Sequence, residues 1–172
     1  MERLYAGWRI GQPSNVGSDG QLHANLEPEP GKTLFETIEQ SNLPDEKTYV
    51  LKRREHTFAV LNVYPYNPGH VMVLPNKGVR SISDLDDRTF SQLWEMVRET
   101  TAVVKQVYAP LGLNIGVNEG LSGGGSQHNH LHVHIVPRWS GDTNFMTAVS
   151  DIRVLPETLK RTWERLQSEW PD

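Results

Sequence analysis

The chain has 172 residues, of which 37% are apolar and 22% charged, with a net charge of −4 and no cysteine. This composition fits one soluble globular domain with a real core, excludes disulfides and thiolate metal sites, and gives no bulk attraction to nucleic acid. No apolar run nears the ~20 residues of a membrane span, and Met1-Glu2-Arg3-Leu4-Tyr5 does not open like a signal peptide, so a cytoplasmic protein is expected.

Residues 1–32 read as an N-terminal arm and loop. Leu4, Tyr5, Trp8 and Ile10 suit a docking arm, and the run from 11 to 31 is rich in Gly, Pro, Ser and Asn. Residues 33–39 carry a short helical pattern with Leu34, Phe35 and Ile38 on one side. Residues 49–52 and 58–63 predict strands joined by a turn at Glu55-His56. The stretch Tyr64-Pro65-Tyr66-Asn67-Pro68-Gly69 must turn, because both prolines break a ladder. Its tyrosines read as packing residues, with a base platform as the alternative. Residues 70–75 form the next strand, antiparallel to the last.

Residues 83–108 predict the longest helix. Asp84, Asp86 and Asp87 suit its positive end, and Phe90, Trp94, Val97, Thr101, Val104 and Tyr108 form a stripe expected in the core. Residues 113–118 alternate strictly, so Leu113, Ile115 and Val117 are expected to face the core. Asn114, Gly116 and Asn118 would face the other way, with Gly116 leaving room for a ligand. Residues 140–145 read as loop, and 156–170 as a terminal helix with Leu159, Trp163, Leu166 and Trp170 inward. The element order predicts an α+β fold: one domain over 1–172 with its core at 47–145, an antiparallel sheet, and helices on one face.

One stretch resists a packing explanation. Gly123-Gly124-Gly125-Ser126-Gln127 leads into His128-Asn129-His130-Leu131-His132-Val133-His134-Ile135-Val136. A strand turns alternate side chains to one face, so His128, His130, His132 and His134 would share a face if the strand starts early enough. Imidazoles in a row are poor core material, since each buried ring needs hydrogen-bond partners. Three readings stand: a polar solvent face, a metal site, or nucleophilic catalysis by one ring with the others holding substrate. The glycine run favours the third, because its N–H groups can converge on an anion.

His130-Leu131-His132-Val133-His134-Ile135-Val136 resembles, at every position, the His-φ-His-φ-His-φ-φ signature of the histidine-triad nucleotide hydrolases and transferases. Asn62 followed by His70, and Asn118-Glu119-Gly120 before the glycine loop, extend the likeness over about residues 47–145. Tyr64-Pro65-Tyr66-Asn67-Pro68-Gly69-His70 and Pro137-Arg138-Trp139-Ser140-Gly141-Asp142 with Asn144-Phe145 look most like the family's bacterial diadenosine tetraphosphate phosphorylase branch. The resemblance implies a small antiparallel sheet with one long helix and a C-terminal helix packed on it, paired as a homodimer.

It further implies that His132 attacks an α-phosphate and forms a nucleotidyl-histidine intermediate. A backbone carbonyl near His130 would take the proton on its other nitrogen, with His70 supporting His130 from behind. His134, Ser126 or Gln127, and the N–H groups of Gly124 and Gly125 would stabilise the oxyanions. Asn62 would sit at a ribose and Asn118 near the phosphates or the catalytic strand. Trp139 and Asn144 would bind the second nucleoside, although Trp139 equally suits a core cap. Arg138 would neutralise phosphate or remain a solvated charge. His128 has no role in the family pattern. No cofactor is required and no metal is expected on the protein; a divalent cation would come with the substrate polyphosphate. The partners implied are a dinucleoside polyphosphate and orthophosphate, with no nucleic acid and no membrane. Orthophosphate as acceptor makes a phosphorylase, releasing ADP and ATP; water makes a hydrolase, releasing AMP, and nucleoside phosphoramidates are alternative substrates. A nucleotide-binding module with slow chemistry and a metal-dependent hydrolase are the readings from other classes.

Overall fold

The computed structural model describes residues 26–123, 127–142 and 157–171. The first elements are α1 (Leu34–Glu39), α2 (Asp45–Thr48), β1 (Val50–Arg53), β2 (Thr57–Leu61) and β3 (Val71–Pro75). A 3-10 turn at Ile82–Asp84 leads to α3 (Asp87–Tyr108), then come β4 (Gly112–Val117), a second 3-10 turn, β5 (Val133–Arg138) and α4 (Leu159–Ser168). The five strands form one sheet in the order β1-β2-β3-β5-β4, antiparallel throughout. The expected α+β sheet with a long helix and a C-terminal helix is therefore present.

Contrary to the expectation from element order, the helices do not keep to one face of the sheet. Leu51, Ala59, Leu61, Val71, Val73, Val133 and Ile135 pack against Leu93, Met96, Val97 and Val104 of α3 and Leu166 of α4. The opposite strand positions Val50, Phe58, Val60, Met72 and Leu74 pack against Phe35 and Ile38 of α1. β2 and β3 are buried along their whole length, which explains their near-continuous apolar sequences. Because α1 is only six residues long, the sheet face it covers has room beside it for something other than core.

α3 begins later than expected. Asp86 is its N-cap, accepting from Thr89 N, so the acids at 84 and 86 precede the helix. Its buried side carries Thr89, Leu93, Met96, Val97, Thr100, Val103 and Val104, whereas Phe90 and Trp94 of the expected stripe are 43% and 37% exposed. Aromatics at the flank of the apolar arc inflated the stripe away from its true centre. β4 departs in part: Leu113 and Val117 pack against the core as expected, but Ile115, on the same edge strand, is 45% exposed. α4 docks as its spacing predicts, with Leu166 and Trp170 buried and Leu159 and Trp163 packed beside them. Among the described residues no helix is long and apolar enough to cross a membrane.

Candidate active site

The register Met72↔His134 and Val73↔Val133 between β3 and β5 puts His132 and His134 on the α1 face of the sheet. His130 precedes β5, at the end of the turn that Gln127 opens, and its N–H donates to the Gln127 carbonyl. His70 stands just before β3. All four rings are buried, at 1–6% exposure. His128 does not join them: it is exposed on the turn, because the strand starts only at Val133 and the period-two alternation does not reach back that far.

Backbone partners fix the tautomers. His132 Nδ1 lies 2.8 Å from the His130 carbonyl oxygen, which can only accept, so Nδ1 carries the proton and Nε2 carries the lone pair. Tyr66 N–H can only donate, and it reaches His70 Nδ1 at 3.1 Å. His70 therefore carries its proton on Nε2 and donates it across 2.9 Å to His134 Nδ1. His134 then carries its own proton on Nε2. Tyr66 stacks on His70, with centroids 4.8 Å apart and planes 26° apart, and holds that ring from one side. The expected support of His130 by His70 is thus replaced by support of His134. His130 is instead held by the Pro75 carbonyl, 2.8 Å from Nε2, and by the Thr33 hydroxyl, 2.6 Å from Nδ1.

Burial pushes the His130 imidazolium down to about 4, against smaller upward pulls from the Pro75 carbonyl and the Glu36 carboxylate, so the ring is neutral. The rings of His132 and His134 stand edge to face, with centroids 4.8 Å apart. The result is one imidazole whose Nε2 bears a lone pair beside one whose Nε2 bears a proton. A nucleophile and a hydrogen-bond donor side by side, with a carbonyl that accepts from the nucleophile's Nδ1–H and stabilises the positive charge growing on that ring, can carry out group transfer through a covalent histidine.

The model of the HIT domain matches residues 44–141. This chain belongs to the HIT domain family. It is 45% identical over 128 residues to a Mycobacterium tuberculosis protein named AP-4-A phosphorylase, a match that covers 74% of this chain and just under two thirds, 66%, of that protein. It is 34% identical over 93 residues to an asymmetrical bis(5'-nucleosyl)-tetraphosphatase of Schizosaccharomyces pombe, covering 54% of this chain and 50% of that one. In fold it matches a solved Hit-like protein from Bartonella henselae with a TM-score of 0.66 at 22% identity, over 84% of this chain and 99% of that one.

The other expected site residues of this HIT domain fall as follows. Asn62 is buried, with Nδ2 3.4 and 3.5 Å from the two ring nitrogens of His70 and Oδ1 accepting from Tyr64 N. Asn118 follows the Val117↔Val133 pair, level with His132. Gln127 is half-buried and opens the turn to His130. Trp139 is half-buried and stands edge to face with Tyr108, 6.3 Å between centroids. Arg138 is a half-exposed strand-end charge, but a paired one: it forks onto both Asp142 oxygens and reaches Asn114 Oδ1. Gly124, Gly125, Ser126 and Asn144 lie outside the described residues.

Sequence reasoning missed Thr33, Phe35 and Asp142 as neighbours of the HIT site. Phe35 turns its ring edge to His130 at 5.5 Å and tilts over His132 at 5.7 Å. Asp142 accepts from Asn67 Nδ2 and Trp139 N as well as Arg138, tying the loop before His70 to the end of β5. The Thr33-x-x-Glu36 spacing signals a helix cap, but nothing local to it signals a ring 97 residues away.

Proposed function

We propose that this HIT protein cleaves diadenosine tetraphosphate by phosphorolysis, giving ADP and ATP. His132 Nε2 attacks an α-phosphorus and ATP leaves, which forms an adenylyl-histidine. Orthophosphate then attacks the same phosphorus, breaks the P–N bond and releases ADP. The proton stays on His132 Nδ1, donated to the His130 carbonyl throughout, and His134 Nε2–H donates to a non-bridging oxygen. Gly124, Gly125, Ser126 and Gln127 supply further donors, Asn62 and Asn118 hold ribose and phosphate, and Asn144 with Trp139 meets the second nucleoside. A divalent cation travels with the polyphosphate.

The observation that carries this reading is the 2.8 Å bond from His132 Nδ1 to the His130 carbonyl, which leaves the lone pair on Nε2. The AP-4-A phosphorylase likeness favours orthophosphate as acceptor. The tetraphosphatase likeness keeps water as the second reading, with AMP and ATP as products. The deciding experiment follows products of diadenosine tetraphosphate with and without orthophosphate, with His132→Ala as control. ADP plus ATP only with phosphate supports phosphorolysis. AMP plus ATP without it supports hydrolysis. Full activity in His132→Ala sinks the covalent mechanism.

The protein also works as a homodimer in this proposal. Support comes from the exposed β4 edge with Ile115 outward, and from exposed Phe90 and Trp94 on α3. Light scattering during size exclusion tests it; a mass of 19.5 kDa, that of one chain, would overturn it.

A further inference from the structure

We propose that Thr33, the N-cap of α1, is a positioning residue for the nucleophile: its hydroxyl locks the His130 ring, and the His130 backbone in turn orients His132. This rests on the reading of His132 as nucleophile. The Pro75 carbonyl lies 2.8 Å from His130 Nε2 and can only accept, so Nε2 carries the proton. His130 Nδ1 is then an acceptor, and the Thr33 hydroxyl at 2.6 Å is its donor. The same oxygen accepts from Glu36 N at 3.1 Å, so one atom caps the helix and holds the ring.

The attachment reaches three chain segments. The Glu36 carboxylate accepts from Thr33 N at 2.7 Å and from Gly78 N at 3.0 Å. At Gly78 a Cβ would stand 2.7 Å from Thr33 Cγ2 and 3.3 Å from the Asn129 carbonyl oxygen, so the loop after β3 is pressed between the cap and the His130 turn. Leu131 N donates to the Val79 carbonyl at 2.7 Å on the other side. His130 therefore cannot turn about its side-chain torsion without breaking a bond at each ring nitrogen. Its own carbonyl is the acceptor 2.8 Å from His132 Nδ1, so anchoring the ring at both nitrogens restricts the backbone that carries this acceptor. The titratable groups facing the ring are Glu36, which favours its protonation, and His132, which opposes it.

The test compares wild type, Thr33→Val and Thr33→Ser by ¹⁵N NMR of the imidazoles without substrate, and by kcat, KM and pH profile on diadenosine tetraphosphate. Asp86→Ala, which removes the cap of α3 away from the site, is the control for lost helix capping. Wild-type His130 is expected to show Nε2–H with Nδ1 as a hydrogen-bonded acceptor. Thr33→Val should lower kcat by roughly ten- to a hundredfold with KM little changed. It should also raise the acid limb of the profile, because the neutral ring loses a donor. Thr33→Ser should restore both, and Asp86→Ala should lower only the melting temperature. A proton on Nδ1 in wild type overturns the proposal even if Thr33→Val fails to fold. Unchanged kcat and profile in Thr33→Val, with a lower melting temperature like Asp86→Ala, reduce Thr33 to a cap. If wild type leaves this substrate uncleaved, the reaction reading falls, while the NMR arm still decides whether Thr33 holds His130.

Discussion

His70 and His134 meet nitrogen to nitrogen across 2.9 Å, and the direction of that bond is set by the Tyr66 N–H on the far side of His70. A ring that never touches a reacting atom thus decides which nitrogen of His134 faces outward with a proton. His70→Ala should therefore lower kcat on the order of a hundredfold, the cost of one misdirected preorganised donor. KM should change far less. Steady-state kinetics checks this, and an equal rise in KM would assign His70 to substrate binding.

The neutral state of buried His130 makes stability depend on pH. Its folded value of about 4 lies below the 6.5 of an unfolded histidine, so the unfolded chain binds the extra proton between those values. The contribution is complete above about pH 6.5 and is lost as pH falls toward 4. It amounts to about 3 kcal/mol at most. Urea unfolding of wild type and His130→Asn between pH 7 and 4 should show the steeper decline in wild type.

Asp142 behaves with the same sign for a different reason. The Arg138 guanidinium, then Trp139 N and Asn67, hold its carboxyl well below the usual carboxylate range. Asp142→Asn should cost about 1 kcal/mol at neutral pH, since Arg138 is half-exposed and its pairing is screened. The difference from wild type should narrow as pH drops below the unfolded value of about 3.9. Because Asp142 anchors Asn67, kcat should also fall. A full-strength kcat in the variant would show that the loop before His70 holds itself.

Gly69 sits at φ +76°, with the Tyr108 ring 2.7 Å from where a Cβ would stand. Gly69→Ala should destabilise by about 2–4 kcal/mol, combining the left-handed conformation with overpacking against a ring. Tyr108 cannot easily yield, because its hydroxyl donates to Glu157 and the Arg165 guanidinium lies 4.4 Å from its ring centroid. Denaturant midpoints measure the loss, and Tyr108→Leu should recover part of it in the double variant.

What the sequence reveals about this site is what lies within a few residues. The alternation of His132 and His134, and the carbonyl that serves His132 from two positions back, are local properties of a strand and its entry. The histidines at 128 and 130 escape that logic because the strand has not yet begun. Which histidine His70 supports depends on the register of β3 on β5, which sets Met72 opposite His134 and leaves His130 four residues away, before the strand begins. Arg138 reads as a phosphate ligand only while Asp142 is invisible as its partner. The sheet and α4 were legible from periodicity. The exposed flank of α3 was not, since burial there depends on how far the sheet extends beneath it.

β3 has a hydrogen-bonded neighbour on each side and packed side chains on both faces. Its amide protons should therefore be among the last to exchange with solvent, along with those of β2, while the β4 edge and the helix ends exchange early. His70 and His134 are attached to this slowest part of the molecule. Fraying at the periphery can thus come and go many times without disturbing the pair, and its nitrogen-to-nitrogen contact should be lost only when the central strands unfold.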